Sequence, residues 1–84
     1  MFEPVTRELI SGWFDKGVQQ GATHMLVISD SFSYEYHPAY VQKGQDPRLI
    51  EQEYSQREMT GVVEVYDLSL PKDPQLDETR ARHY

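Results

Sequence analysis

Met25-Leu26-Val27-Ile28 is the longest uninterrupted apolar run in the chain, and it decides the fold. Successive side chains of a strand point to opposite sides, so this run places apolar groups on both faces. It predicts a strand over about 22–29 that is covered on each side or central in its sheet. As a helix, the run is far too short to cross a bilayer, which takes about 20 residues.

The segment before this strand has the spacing of an amphipathic helix. Thr6 is a suitable N-cap, and Gly21 is a suitable residue just past the C-terminus. We therefore expect a helix whose apolar face lies against the sheet. That face consists of Leu9, Ile10, Trp13, Phe14 and Val18.

The segment after this strand predicts a hairpin, for which two registers are possible. A second strand includes residues 39–41, with Pro38 at its start, where a missing donor is tolerated. Residues 30–37 form either a long loop or an early turn at 30–33, which would place Tyr34 and Tyr36 in the second strand. The long loop is the favoured prediction.

Two aspartate-proline pairs mark helix starts further along the chain. Asp46 is a good N-cap before Pro47, and Asp73-Pro74 repeats the pattern after Pro71 has ended a strand. The predicted elements are a helix over 47–57, a strand over 61–70 and a short helix over 73–82.

Together these elements predict one α+β domain spanning residues 1–84, in the order α-β-β-α-β with a further α at the end. The economical architecture is a three-stranded, mostly antiparallel sheet with the helices packed on one face. Residues 71–84 are expected to be a loosely docked tail or short helix, and Tyr84 either stays free or docks into a partner. The second face would be partly covered by the tail or by a second copy, so monomer and homodimer both remain open.

Composition excludes several classes of partner. The chain has 84 residues and a net charge of -6, and its 8 basic residues are scattered. Nucleic acid and anionic membranes need clustered Lys and Arg, so neither is an expected partner. There is no cysteine, which excludes disulfides and thiolate metal sites. No basic-then-apolar leader is visible at the N-terminus, and the sequence predicts a cytoplasmic protein.

The most distinctive stretch runs from Ser31 to Tyr40, where large aromatic residues alternate with small or charged residues. Interleaved tyrosine and serine is typical of binding loops, because tyrosine provides contact area at low entropic cost. The leading hypothesis is a non-enzymatic module that contacts another protein, one with a basic surface in view of the acidic charge. Alternatively, the rings cover the open end of a small core, or they form a base-stacking platform that lacks the usual basic groove. The candidate partner-binding residues are Phe32, Tyr34, Glu35, Tyr36 and Tyr40.

A rival hypothesis places a divalent-metal or acid-base site at Asp30, Glu35 and His37, which a hairpin would bring near one another. His24 lies on the order of 20 Å from Asp30 along an extended strand and cannot join them. It is expected to be a strand-edge histidine bonded to the backbone. A third hypothesis is that the acidic chain mimics nucleic acid and occupies a protein that binds nucleic acid. Only the net charge favours this hypothesis.

No sequence motif points to catalysis. The chain contains no nucleophile elbow, P-loop, dinucleotide-binding or zinc-protease pattern, and a domain of this size has little room for a substrate pocket. Neither an enzyme nor a cofactor is therefore predicted.

One resemblance covers most of the chain. The run Gly21-Ala-Thr-His-Met25, the tyrosine-bearing acidic loop with Pro38-Ala-Tyr-Val41, Glu64-Val-Tyr-Asp-Leu68 and the closing His83-Tyr84 resemble a group of small bacterial proteins of unknown function. The resemblance implies no activity, ligand or site residue.

Overall fold

A computed structural model describes residues 4–84 of the chain. Three helices alternate with three strands in the order α-β-β-α-β-α, which confirms the predicted α+β class. The elements are α1 (Arg7–Gln19), β1 (His24–Asp30), β2 (Glu35–Val41), α2 (Pro47–Gln56), β3 (Thr60–Asp67) and α3 (Lys72–Leu76).

The three strands form one antiparallel sheet in the order β2-β1-β3. β1 is therefore the central strand, as its continuous apolar run predicts. Its four apolar side chains, residues 25–28, are completely buried. Burying one such side chain contributes roughly 1.5–3 kcal/mol, so all four apolar residues of β1 add to the stability of the fold.

The two faces of β1 carry separate apolar layers. Met25 and Val27 belong to a cluster with Phe14 of α1, and Leu76 of α3 packs against that cluster. On the other face the cluster contains Leu26, Ile28, Ala39, Val41 and Val65, and side chains of α2 pack against it.

The expectation that the helices pack on one face is therefore wrong. Helix α1 and helix α3 lie on one side of the sheet, and α2 lies on the other. The physical reason is the run 25–28 itself, because apolar groups on both faces need a cover on both faces.

The predicted helix starts are confirmed for α1 and α2. The Thr6 hydroxyl accepts a hydrogen bond from the Leu9 amide at 3.1 Å, and an Asp46 carboxylate oxygen accepts one from the Arg48 amide at 2.9 Å. Gly21 has a φ of +77°, a left-handed conformation that favours glycine after a helix. The third predicted cap is wrong, since α3 begins at Lys72, has no side-chain cap and ends at Leu76.

The predicted long loop between β1 and β2 is also wrong. Asp30 pairs with Glu35, so the turn comprises residues 31–34 alone. Asp30 holds the turn, because its carboxylate accepts from the Phe32 amide at 2.9 Å and the Ser33 amide at 3.4 Å. Strand β2 therefore begins well before Pro38, and Tyr36 lies within it.

The C-terminal residues dock on their own chain. Residues 81–83 run parallel to β3, where the Val65 amide donates to Ala81 O at 2.8 Å and the His83 amide donates to Val65 O at 3.0 Å. The Tyr84 hydroxyl donates to Glu51 of α2. The tail thereby covers part of the outer edge of β3.

Across residues 4–84, every helix is too short or too polar to cross a membrane.

Candidate functional site

Three large apolar side chains are exposed together at one end of the sheet. Phe32 is 80% exposed and Tyr34 53%, both in the β1–β2 turn, and Met59 is 51% exposed in the α2–β3 connection. The Ser31 amide donates to Met59 O at 2.7 Å, which joins the turn to the connection. We call Phe32, Tyr34 and Met59 the tip patch.

Strand pairing brings these two segments together. Asp30, the last residue of β1, pairs with Glu35 on one side and with Thr60 on the other. The Thr60 hydroxyl donates to Tyr54 O at 2.6 Å and so ties the start of β3 to α2. The tip patch therefore lies at a sheet end where hydrogen bonds join β1, β3 and α2.

Two residues of the tip patch have unusual backbone conformations. Tyr34 has a φ of 57° and Met59 a φ of 65°, both in the left-handed region. For a residue with a Cβ this conformation costs roughly 1–2 kcal/mol, and glycine or asparagine is the usual occupant. The chain has a large apolar side chain at both positions instead.

Acidic residues border the tip patch in sequence. Asp30 and Glu35 flank the turn, and Glu58 precedes Met59. The neighbouring Arg57 directs its guanidinium over the Tyr54 ring, 4.4 Å from the centroid. The patch is thus apolar at its centre and acidic in its surroundings.

The other predicted partner-binding tyrosines lie elsewhere. The Tyr40 hydroxyl donates to Trp13 O of α1 at 2.9 Å, and burial raises the pKa of this phenol. Tyr36 is partly buried and packs against the cluster under α1. These two rings cover the core edge, whereas Phe32, Tyr34 and Glu35 are exposed at the tip.

The alternative metal site has no geometric support. Asp30 and Glu35 are paired across the hairpin, but His37 pairs with Ile28, two residues or about 7 Å further along the strand. One Asp30 oxygen is already engaged by the turn amides. Within the described part of the chain, no group of three or more His, Cys, Asp or Glu side chains could hold a metal ion.

Sequence reasoning missed a pair of ionisable side chains at the opposite end of the sheet. His24 Nε2 lies 3.9 Å from a carboxylate oxygen of Asp67, because these residues pair between β1 and β3. His24 Nδ1 contacts the Thr23 hydroxyl at 3.0 Å, so the expected bond to the backbone is replaced by side-chain contacts.

An open cavity of about 290 Å³ lies beside this pair. Its apolar walls come from the end of α1, the α1–β1 turn and the residue after β3. Its polar walls come from the start of β1 and the end of β3. The lining residues include Val18, Ala22 and Leu68 on the apolar side and Thr23, Asp67 and Ser69 on the polar side.

The Asp67 carboxylate is held in its charged form. Burial by itself raises the pKa of Asp67, but hydrogen bonds from Ser69 and the proximity of His24 and His83 outweigh burial and leave the pKa lowered. The Ser69 hydroxyl donates to Asp67 Oδ1 at 2.6 Å and the Ser69 amide at 2.9 Å. The cavity therefore has a negative wall at neutral pH.

Comparison with protein-family models, with curated proteins and with solved structures gives no match for this chain. The tip patch and the cavity are therefore interpreted from their own chemistry.

Proposed function

We propose that this protein is a non-enzymatic interaction module whose tip patch docks on another protein. The observation that supports this proposal is the clustering of three exposed apolar side chains, Phe32, Tyr34 and Met59, at one hydrogen-bonded end of the sheet. Aromatic and methionine side chains are enriched in the centres of protein interfaces, where they are removed from water.

The backbone conformations add a second reason. At Tyr34 and Met59 the left-handed φ favours glycine or asparagine, so the large side chains are present at some expense of folding stability. Both side chains leave about half of their surface in water. Contact with another molecule would give a physical reason for these large, exposed side chains at Tyr34 and Met59.

Charge specifies the kind of partner. The tip patch has acidic neighbours at Asp30, Glu35 and Glu58, and the whole chain carries a net charge of -6. Such a surface attracts and orients a partner whose apolar contact region is rimmed by Lys and Arg. A partner protein whose strongly basic surface binds nucleic acid would be one example of such a partner.

The test compares two variants with equal numbers of polar replacements. The immobilised wild-type chain is used to capture proteins from a lysate. Each captured protein is then purified, and its Kd for the wild type and for both variants is measured. The tip-patch variant is Phe32→Ser, Tyr34→Asn and Met59→Asn, in which asparagine suits the left-handed backbone. The control variant replaces exposed leucines outside the patch: Leu9→Gln, Leu49→Gln and Leu70→Gln.

A direct partner is expected to bind the wild type and the control variant with similar Kd, and to bind the tip-patch variant at least about tenfold more weakly. Its Kd for the wild type is also expected to rise between about 50 and 500 mM NaCl, because salt screens the acidic rim. If every purified partner binds the tip-patch variant as tightly as the control variant, the docking proposal is wrong.

A further inference from the structure

We propose that the cavity beside Asp67 binds a small molecule with a protonated primary amine and a short apolar chain. This site is independent of the docking function, since it lies at the end of the sheet opposite to the tip patch. His24 and Asp67 pair at one end of β1 and β3, whereas Asp30 and Thr60 pair at the other.

The cavity has the two kinds of wall that such a molecule needs. Val18, Ala22 and Leu68 form an apolar side, and Asp67 places a carboxylate on the polar side. A volume of about 290 Å³ is near the lower limit for ligand pockets, which suits a molecule of a few heavy atoms.

One carboxylate oxygen is available for recognition. Asp67 Oδ1 already accepts both hydrogen bonds from Ser69, at 2.6 and 2.9 Å. Oδ2 faces His24 Nε2 at 3.9 Å, which is too long for a hydrogen bond. Asp67 lines the cavity, and Oδ2 is the oxygen that takes no hydrogen bond from Ser69, so it is the acceptor left for a charged donor.

The hydrogen-bond pattern around His24 also favours a donor at this place. The Thr23 hydroxyl donates its one hydrogen to Val41 O at 3.3 Å, so it accepts from His24 Nδ1 at 3.0 Å. In the neutral imidazole Nε2 is then an acceptor, and it has no hydrogen-bond partner among the described residues. When the His24 ring is neutral, His24 Nε2 and Asp67 Oδ2 are two acceptors 3.9 Å apart without a hydrogen between them, and a nearby ammonium group stabilises both electrostatically.

The position of Asp67 is fixed before any ligand arrives. The buried amide of Gln75 accepts from the Asp67 backbone N–H at 2.9 Å and donates to its carbonyl at 2.8 Å. The Leu68 amide donates to Thr23 O at 3.0 Å and closes this end of the sheet. Such preorganisation lowers the cost of binding, because the recognising group loses little freedom.

The test uses the full chain labelled with ¹⁵N and three probes of equal chain length: n-butylammonium, n-butanol and butyrate. We expect n-butylammonium to cause saturable amide shifts at Thr23, His24, Leu68 and Ser69, with a Kd of about 1–50 mM. The neutral alcohol is expected to bind at least about fivefold more weakly, and butyrate is expected to cause no saturable shift, because the wall is negative.

Two variants decide whether those shifts come from the cavity. Asp67→Asn removes the charge, and its matched control, Asp15→Asn, removes an exposed acid that pairs with Lys72. Val18→Phe fills the mouth of the cavity from a half-exposed position, so it keeps the test decisive even if Asp67→Asn fails to fold.

We expect Val18→Phe and folded Asp67→Asn to lose the shifts, and Asp15→Asn to keep them. The proposal is overturned if n-butylammonium causes no saturable shift up to about 100 mM, if butyrate binds equally well, or if the shifts persist in Val18→Phe. Because the tip patch contributes no residue to the cavity, none of these results bears on the docking proposal.

Discussion

At the scale of single residues, Gly17 sets how closely α1 approaches the sheet. A Cβ at this position would lie 2.7 Å from Leu68 Cδ1 and 2.8 Å from Tyr40 Cε1. The Tyr40 ring has little freedom to move, because its hydroxyl is bonded to Trp13 O. The absence of a side chain at Gly17 therefore permits the contact between the helix and strand β2.

We expect Gly17→Ala to lower the free energy of unfolding by about 1–2 kcal/mol, since overpacking exceeds the roughly 1 kcal/mol by which helices favour alanine. Gly12→Ala is the matched control, because a Cβ at Gly12 has no heavy atom within 4 Å. It is expected to raise the free energy of unfolding by about 0.5–1 kcal/mol. Urea denaturation measures both values, and stabilisation by both variants would contradict the close approach.

The charge on Asp67 predicts a pH dependence of stability. The pKa of Asp67 is lowered in the folded protein, so the folded state favours the ionised form. This contribution is present above the pKa of the unfolded chain, about 3.9, and is lost as pH falls through the lower folded value. The stability advantage of the wild type over Asp67→Asn is therefore expected to shrink below about pH 4.

Thermal unfolding of the wild type and Asp67→Asn at a series of pH values from about 6 down to 2 measures this advantage. A difference that stays constant over the whole series, or grows as the pH falls, would contradict the lowered pKa of Asp67.

At the scale of elements, the C-terminal tail stabilises the edge of the sheet and α2 together. The guanidinium of Arg48 lies 4.3 Å from the centroid of the Tyr84 ring, and the Tyr84 hydroxyl donates to Glu51. Arg82 also pairs with Glu51 and donates to Val62 O at 3.0 Å. A tail predicted to be loose is thus joined to two elements.

We expect Tyr84→Ala to lower the free energy of unfolding by about 1–2 kcal/mol, because the ring loses its packing against Arg48 and α2. Tyr84→Phe keeps the ring and removes the bond to Glu51, so its effect is expected to stay below about 1 kcal/mol. Chemical denaturation of both variants checks the order of the effects. Equal stability of the wild type and Tyr84→Ala would show that the tail contributes nothing.

Elements with strong local signals were predictable. The caps at Thr6 and Asp46, and the four apolar residues of β1, act through neighbours in sequence, so their roles can be read directly. The hairpin register was not predicted. Tyr36 and Tyr40 lie in strand β2, and the alternation of aromatic residues there is the alternation of a strand. The same tyrosine-rich composition is typical of binding loops, which is why a long loop was predicted.

At the scale of the whole molecule, the sheet is covered on both faces, and the two candidate sites lie at its two ends. The tip patch was partly predicted, since Phe32 and Tyr34 are conspicuous in the sequence, but Met59 joins them only through the strand pairing. The pair of His24 and Asp67 depends on the β1–β3 register, which no local pattern reveals.

Both proposed sites depend on this two-sided sheet, because the helices occupy its faces and the two sites lie at its opposite ends. The most direct test replaces two adjacent residues of β1 that point to opposite faces. Met25 packs in the layer under α1, and Leu26 packs in the layer under α2.

The decisive measurement is the free energy of unfolding of Met25→Ala and of Leu26→Ala, each obtained by urea denaturation. The two-sided sheet predicts that each variant loses about 2–5 kcal/mol, because each leaves a cavity in a closed layer. A large loss for one variant and a loss below about 0.5 kcal/mol for the other would show that one face of the sheet is open to water.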